Sequence, residues 1–231
     1  MVEMWPSANP REASKEVKGI ESLLGDYIKN AFRGKEKNQK LKVDLDLKAI
    51  TDYSEDDKNI ALQLTWLGHA AFLLQTSPIN FMGPYRCRGR GFKKFSELPP
   101  IDLIIISHNH YDHLDKYTIK EIFADKRNKK RTHIFCPLDL KKWFKGIGIP
   151  VDQVTECDWW DENEVTILPE SVNISDENAL NEALTSTNNR KITICTVPNQ
   201  HFSGRSMSDS NQTLWAGWVV KSQDCTYYFA G

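Results

Sequence analysis

No two cysteines of this chain are spaced to clasp a metal or to cycle between thiol and disulfide. The five, at positions 87, 136, 157, 195 and 225 of 231 residues, are odd in number and widely separated, without a CxxC. That excludes a zinc knuckle or a dithiol redox centre and reads as reduced, partly buried thiols in a reducing compartment. Long apolar runs are also lacking. Leu103-Ile104-Ile105-Ile106 is among the longest, far below the roughly 18 to 20 residues that span a bilayer. The N-terminal MVEMWPSANPREASKE has no apolar stretch of a secretory signal, so the expectation is an intracellular protein, cytoplasmic or peripherally membrane-associated, and not secreted. Charge of one sign is missing too. Thirty Lys and Arg against 31 Asp and Glu leave a net charge of −1, which does not suit a protein whose main partner is nucleic acid.

What is present fits an ordinary globular chain, with 40% hydrophobic and 26% charged residues. Residues 1–60 are polar, with GKEKNQKLK and DYSEDDKN, and read as an N-terminal arm packing on a core. ESLLGDYIKNAF within them has the pattern of a short amphipathic helix. Residues 61–231 read as one layered α/β domain. ALQLTWLGHAAFLLQ predicts two strands with a turn at Gly68, and a Pro, Gly and Arg-rich stretch follows. IDLIII is a buried strand, DKYTIKEIFADKRNKK an amphipathic helix, THIFCP a strand, and LDLKKWFKGIGI a helix ended by glycines. VTECDWW, EVTILP, KITICTVP, TLWAGWVVKS and CTYYFAG read as further strands. ISDENALNEALTSTNN reads as a polar insertion, in part disordered. Strands first, then strands alternating with helices, predict a mixed α/β sandwich.

The sequence loads the end of the buried strand with HNHYDH, residues 108–113. Ligands at 108, 110, 112 and 113 cannot share one helix face, where neighbours lie three or four apart. They fit a loop wrapped around an ion at a strand's carboxyl end, where α/β proteins place their chemistry. Imidazole with carboxylate favours zinc, with iron or manganese as alternatives, and His108, His110, Asp112 and His113 can serve two adjacent ions. A further ligand must come from elsewhere. His201, in TVPNQHFSG, is the leading candidate; His69, in WLGHAAF, and His133, in THIFCP, compete with it. His133, inside a strand, reads as structural, and His69 as a turn residue near the site. The letters HNH do not indicate an HNH nuclease, whose namesakes are scattered through a ββα unit.

HNHYDH fits the HxHxDH motif of the metallo-β-lactamase superfamily. With TWLGHAAFLL, MGPYR, ELPPIDLIIISHNHYDHLD, DWW, PNQH and YYFAG, the chain resembles the N-acylphosphatidylethanolamine-hydrolysing phospholipase D family over most of residues 61–231. The resemblance implies a metallo-β-lactamase-type αββα layered sandwich. It implies His108, His110 and His201 on one zinc, Asp112 and His113 on a second, and Asp112 as the catalytic carboxylate. Tyr111 would face substrate or pack beneath its loop, and Asp115 would orient a ligand or cap a helix. The implied reaction hydrolyses N-acylphosphatidylethanolamine to an N-acylethanolamine and phosphatidic acid, with two zinc ions.

Two departures qualify this expectation. In the family an aspartate bridging the metals follows FAG, and a further histidine lies downstream; here the sequence ends at Gly231. LLQTSPINFMG also omits a strand and acidic turn usual in the family. The second half of the sandwich is therefore expected to be incomplete, with one zinc or fewer held and turnover impaired. A phospholipid partner at a membrane surface would meet YRCRGRGFKKF (85–95) or LKKWFKGIGI (140–149), whose basic and aromatic residues suit anionic headgroups. Two alternatives stand beside this reading. One is a same-fold lactonase or phosphodiesterase of a soluble substrate; the other is a non-catalytic metal-binding fragment. Oligomeric state is not written in the sequence.

Overall fold

Side chains alternate across a strand, and that alternation divides the interior of this chain between two faces of one sheet. The computed structural model describes residues 45, 47–51, 63–68, 71–76, 79–83, 92, 94–168, 172, 176–186, 190–222 and 226–230. Most of the expected N-terminal arm, with its amphipathic helix, lies outside the described residues, as does His69. Residues 42–231 form one unit.

The first sheet runs β1 (Gln63–Gly68), β2 (Ala71–Thr76), β3 (Ile79–Gly83), β4 (Leu103–Ile105), β5 (His133–Pro137) and β6 (Val154–Cys157), in that spatial order. β1 to β3 form an antiparallel meander, and pairing is parallel from β3 onward. The second sheet is antiparallel, in the order β10 (Thr226–Phe229), β9 (Gly217–Lys221), β8 (Arg190–Val197), β7 (Glu162–Ile167). The helices are α1 (Leu47–Thr51), α2 (Lys116–Ala124), α3 (Lys141–Gly146) and α4 (Glu177–Thr185).

β4 is buried at all three positions, as a central parallel strand must be. Ile104 points to the helical side, where it joins Ile134 of β5, Ile119 and Ile122 of α2, and Phe144 of α3. Leu103 and Ile105 point the other way, into a second cluster with Phe135, Ile192, Ile194, Trp218 and Val220. Helices, sheet and sheet thus stack in layers, the mixed α/β sandwich that the sequence predicts and that the resemblance implies. Each fully buried large apolar side chain contributes about 1.5–3 kcal/mol, so the double-faced burial of β4 fixes the strand that carries HNHYDH. α4 buries no side chain, so the buried packing among the described residues lies between the helical side and the two sheets. Leu45, Leu47 and Ile50, from the segment expected as an arm, pack with the helical-side cluster.

Three local expectations differ from the structure. The helix expected through residue 130 stops at Ala124, because buried Asn128 folds back: its Nδ2 donates to the Ile122 carbonyl (3.1 Å) and its Oδ1 accepts from Ile101 N (2.9 Å). The stretch after β2 contains β3, whose short run INFMG gains its ladder from β2 and β4. The polar insertion contains α4, started by Asp176, whose carboxylate accepts from Asn178 N and Ala179 N. Among the described residues, no helix is long and apolar enough to cross a membrane. Cys136, Cys157 and Cys195 are buried free thiols, and Cys87 and Cys225 lie outside the described residues.

Candidate metal centre

β4 ends in a segment tied down from both sheets. Ile106 N donates to Phe135 O (3.0 Å), Trp218 Nε1 donates to Ile106 O (2.8 Å), and Ala216 N donates to Ser107 O (2.8 Å). The chain then turns, with His113 N and Leu114 N both donating to His110 O (3.0 and 2.8 Å). That turn folds His108, His110 and His113 onto one side.

His108 is 1% exposed. Its Nδ1 lies 2.9 Å from Ser107 Oγ, and its Nε2 lies 2.9 Å from Nε2 of His201. With Nε2 as the ligand atom, Nδ1–H donates to the serine, which fixes both tautomer and ring orientation. The His110 ring stands 4.5 Å from that of His108 and 5.1 Å from that of His201, edge to face in both cases. One ring nitrogen from each of His108, His110 and His201 lies within 4.8 Å of the others. Three imidazoles so converged suit one ion at bonds of about 2.0–2.1 Å, with a fourth position open.

The electrostatics favour ligation. Burial, then repulsion from His113, His201 and His110, pushes the His108 pKa down to about 2, against a partial lift from Asp112. Burial is also the main cause of the lowered pKa values of His110 and His201, and Asp112 again opposes it. The rings are thus held neutral, the form in which imidazole binds metal.

Of the other predicted residues, His113 lies against His108 with its ring tilted by 39° (centroids 4.2 Å apart), and its Nε2 lies 3.6 Å from Asp112 Oδ2. Neither Asp112 nor His113 joins the close trio. Tyr111 is 62% exposed, so its ring is not packed beneath the loop. Asp115 caps α2, its Oδ2 accepting from Thr118 N (3.0 Å) and Thr118 Oγ1 (2.8 Å). His133 Nε2 meets Thr155 Oγ1 across β5 and β6 (2.8 Å), the structural placement expected of it. In the proposed lipid-facing stretches, Phe92, Phe95 and Phe144 are buried; their rings belong to the core and are not offered to a membrane. Lys142 and Lys145 face solvent.

Residues 72–231 match the family described as β-lactamase superfamily domain. The chain belongs to that family. Among curated members, N-acyl-phosphatidylethanolamine-hydrolyzing phospholipase D 1 of Caenorhabditis elegans is 34% identical over 185 residues, covering 72% of this chain and 45% of the worm protein. The mitochondrial N-acyl-phosphatidylethanolamine-hydrolyzing phospholipase D of Saccharomyces cerevisiae is 28% identical over 170 residues, covering 68% and 31%. The chain thus spans less than half the length of these relatives. Among solved structures, Igni18, a metallo hydrolase of Ignicoccus hospitalis, aligns with a TM-score of 0.48 and 15% identity, over 74% of this chain and 60% of that one.

The sequence offered no sign of Asn109 or Arg205, which tie the two histidine-bearing loops together. Arg205 Nη1 donates to the carbonyls of Asn109 and Leu114 (2.8 and 2.9 Å), and Gly204 N donates to Asn109 Oδ1 (2.7 Å). Main-chain acceptors carry no side-chain signature.

Proposed function

We propose that this chain is a metal-dependent hydrolase of the phospholipase D type, acting on the phosphodiester of N-acylphosphatidylethanolamine. The convergence of His108, His110 and His201 at the end of β4 carries the reading, and the likeness to two N-acylphosphatidylethanolamine-hydrolysing relatives supplies the substrate class. Zinc is the proposed ion, held by that trio, with Asp112 and His113 as partial ligands of a second. When bound, zinc would lower the pKa of a water and neutralise charge on phosphoryl oxygens.

The chain's own residues supply the rest. Burial keeps the three imidazoles neutral, and Ser107 orients His108. Asp112, half exposed beside His113, is the carboxylate that would hold a proton during attack on phosphorus in this reading. Tyr111 presents its exposed ring to the solvent side, where a lipid headgroup would approach, at a bilayer surface.

The test uses the full chain loaded with one and two equivalents of zinc, assayed on vesicles containing N-acylphosphatidylethanolamine and on bis(p-nitrophenyl) phosphate. Release of N-acylethanolamine that disappears in His108→Ala supports the reading. Cleavage of the soluble ester alone would move it to a same-fold phosphodiesterase. Bound metal with neither product would leave a non-catalytic metal-binding chain.

A further inference from the structure

The histidine trio is assembled from two loops far apart in sequence, and something must hold them in register. Arg205 is placed to do so. Its Nη1 reaches the carbonyl of Asn109 at 2.8 Å and that of Leu114 at 2.9 Å. Those two carbonyls bracket the segment His110–His113, so a single guanidinium nitrogen pins the motif loop from both sides. Above it, the guanidinium carbon stands 4.1 Å from the Tyr111 ring centroid and 5.1 Å from that of Trp143. A planar, delocalised cation suits such stacking where an ammonium does not.

The contact runs in both directions. Buried Asn109 returns a bond to the second loop through Oδ1, which accepts from Gly204 N at 2.7 Å. Gly204 has φ near +156°, a conformation rare for other residues. The second loop is braced in turn by Asp209, whose Oδ1 accepts from Arg205 N (2.8 Å) and Ser206 N (2.6 Å). His201 sits just before this braced turn. The converging ligand atoms belong to the three histidines, while Asn109 Oδ1 and Arg205 Nη1 are bonded to Gly204 N and to main-chain carbonyls, so their effect on the trio is through geometry.

We propose that Arg205 and Asn109 form a positioning pair that locks the loop carrying His201 against the loop carrying His108 and His110. The trio then exists as a preformed site before any ion arrives. This rests on the metal reading above for its consequence for affinity, while the register of the two loops is read separately in metal-free protein. Partners beyond the ligands commonly alter metal affinity by roughly 10- to 100-fold, and a loss in that range is expected when the pair is broken.

The experiment takes the full chain with Arg205→Ala, Arg205→Lys, Asn109→Ala and the ligand control His201→Ala. Two readouts are used. In metal-free protein, proton Overhauser contacts between the His108 and His201 rings report whether the loops are in register. Titration with Co(II) then gives affinity and, from the visible spectrum, coordination number. Expected are ring contacts present in the parent, lost in Arg205→Ala and Asn109→Ala, and partly restored in Arg205→Lys. Co(II) affinity should fall about 10- to 100-fold in the two alanine variants, with a spectrum shifted towards fewer protein nitrogens. Unchanged ring contacts in folded alanine variants would overturn the positioning pair, whatever the metal result. If Arg205→Ala does not fold, Asn109→Ala and Arg205→Lys decide by the same two readouts. Intact contacts in a parent that binds no Co(II) would instead sink the metal reading and leave the pair standing.

Discussion

Nε2 of His108 and Nε2 of His201 lie 2.9 Å apart, although 93 residues separate them in the chain. Without an ion, an N–H of one neutral ring can donate to the other at this distance; a cation between them would turn that apposition into coordination. The surrounding chain is built to keep the apposition. β4 is packed on both faces, its end is tied to β5 and β9, and Ser107 orients the His108 ring.

Removing either ring should therefore remove the ion. His108→Ala and His201→Ala are each expected to lower bound zinc, counted by elemental mass spectrometry after exchange out of a weak chelator, to a small fraction of the parent value. Asp112→Ala should spare the first ion, since Asp112 is not part of the close trio. Equal metal content in parent and His201→Ala would mean the ion is held elsewhere.

The metal-free protein should lose stability in mild acid. The His108 pKa lies at about 2 in the folded chain against an ordinary 6.5, chiefly through burial, and those of His110 and His201 are lowered as well. Above 6.5 neither state takes up these protons, and the full stability is present. As pH falls below 6.5 the unfolded chain binds protons that the folded chain refuses, so stability drops and keeps dropping towards the folded values. A loss on the order of 2 kcal/mol by about pH 5 follows for one such histidine. Urea melts at stepped pH would show it, and saturating zinc at neutral pH should raise the midpoint. A flat profile between pH 7 and 5 would contradict the neutral, buried trio.

Asp115 separates two roles that the sequence left open. As the cap of α2 it accepts from Thr118 N and Thr118 Oγ1. Asp115→Ala should cost about 0.5–2 kcal/mol of stability. Asp115→Asn should recover most of that, since asparagine caps equally well. Zinc content should be unchanged in both. A loss of zinc in Asp115→Asn, with stability intact, would show that the carboxylate acts on the metal centre after all.

The residues that announced this site were those whose chemistry is local. HNHYDH stands out because four candidate ligands, three histidines and an aspartate, crowd into six positions after a buried strand. β4 and its alternating partners were readable for the same reason: an unbroken apolar run needs two covered faces. His201 was reachable because few histidines follow a strand with such a loop. Less was legible where the deciding partner is main chain or distant. Arg205 binds two carbonyls, Asn128 ends α2 by reaching Ile101 and Ile122, and β3 exists through its neighbours. None of these leaves a pattern in its own stretch of sequence. Phe92 and Phe95 misled for a related reason: a basic flank suggested a surface, while their rings pack edge to face at 5.0 Å inside the core.

Trp218 links the second sheet to the site and yields the last prediction. Its side chain is fully buried among Leu103, Ile105, Ile194 and Val220, and its Nε1 donates to the Ile106 carbonyl at 2.8 Å, two residues before His108. Trp218→Phe keeps an aromatic ring in the inter-sheet layer but removes that donor and some volume. The lost partner of a buried carbonyl costs about 1–3 kcal/mol, so the urea midpoint should fall accordingly. If the bond only stabilises the sandwich, zinc affinity in the folded fraction will match the parent. If it also fixes where β4 ends, affinity will fall with it, because His108 hangs from that strand end. The second outcome is expected: Ile106 and Ser107 are each tied to β9 or its approach, by Trp218 Nε1 and Ala216 N, and slack in one of these ties displaces the buried ring around which the other two histidines are arranged.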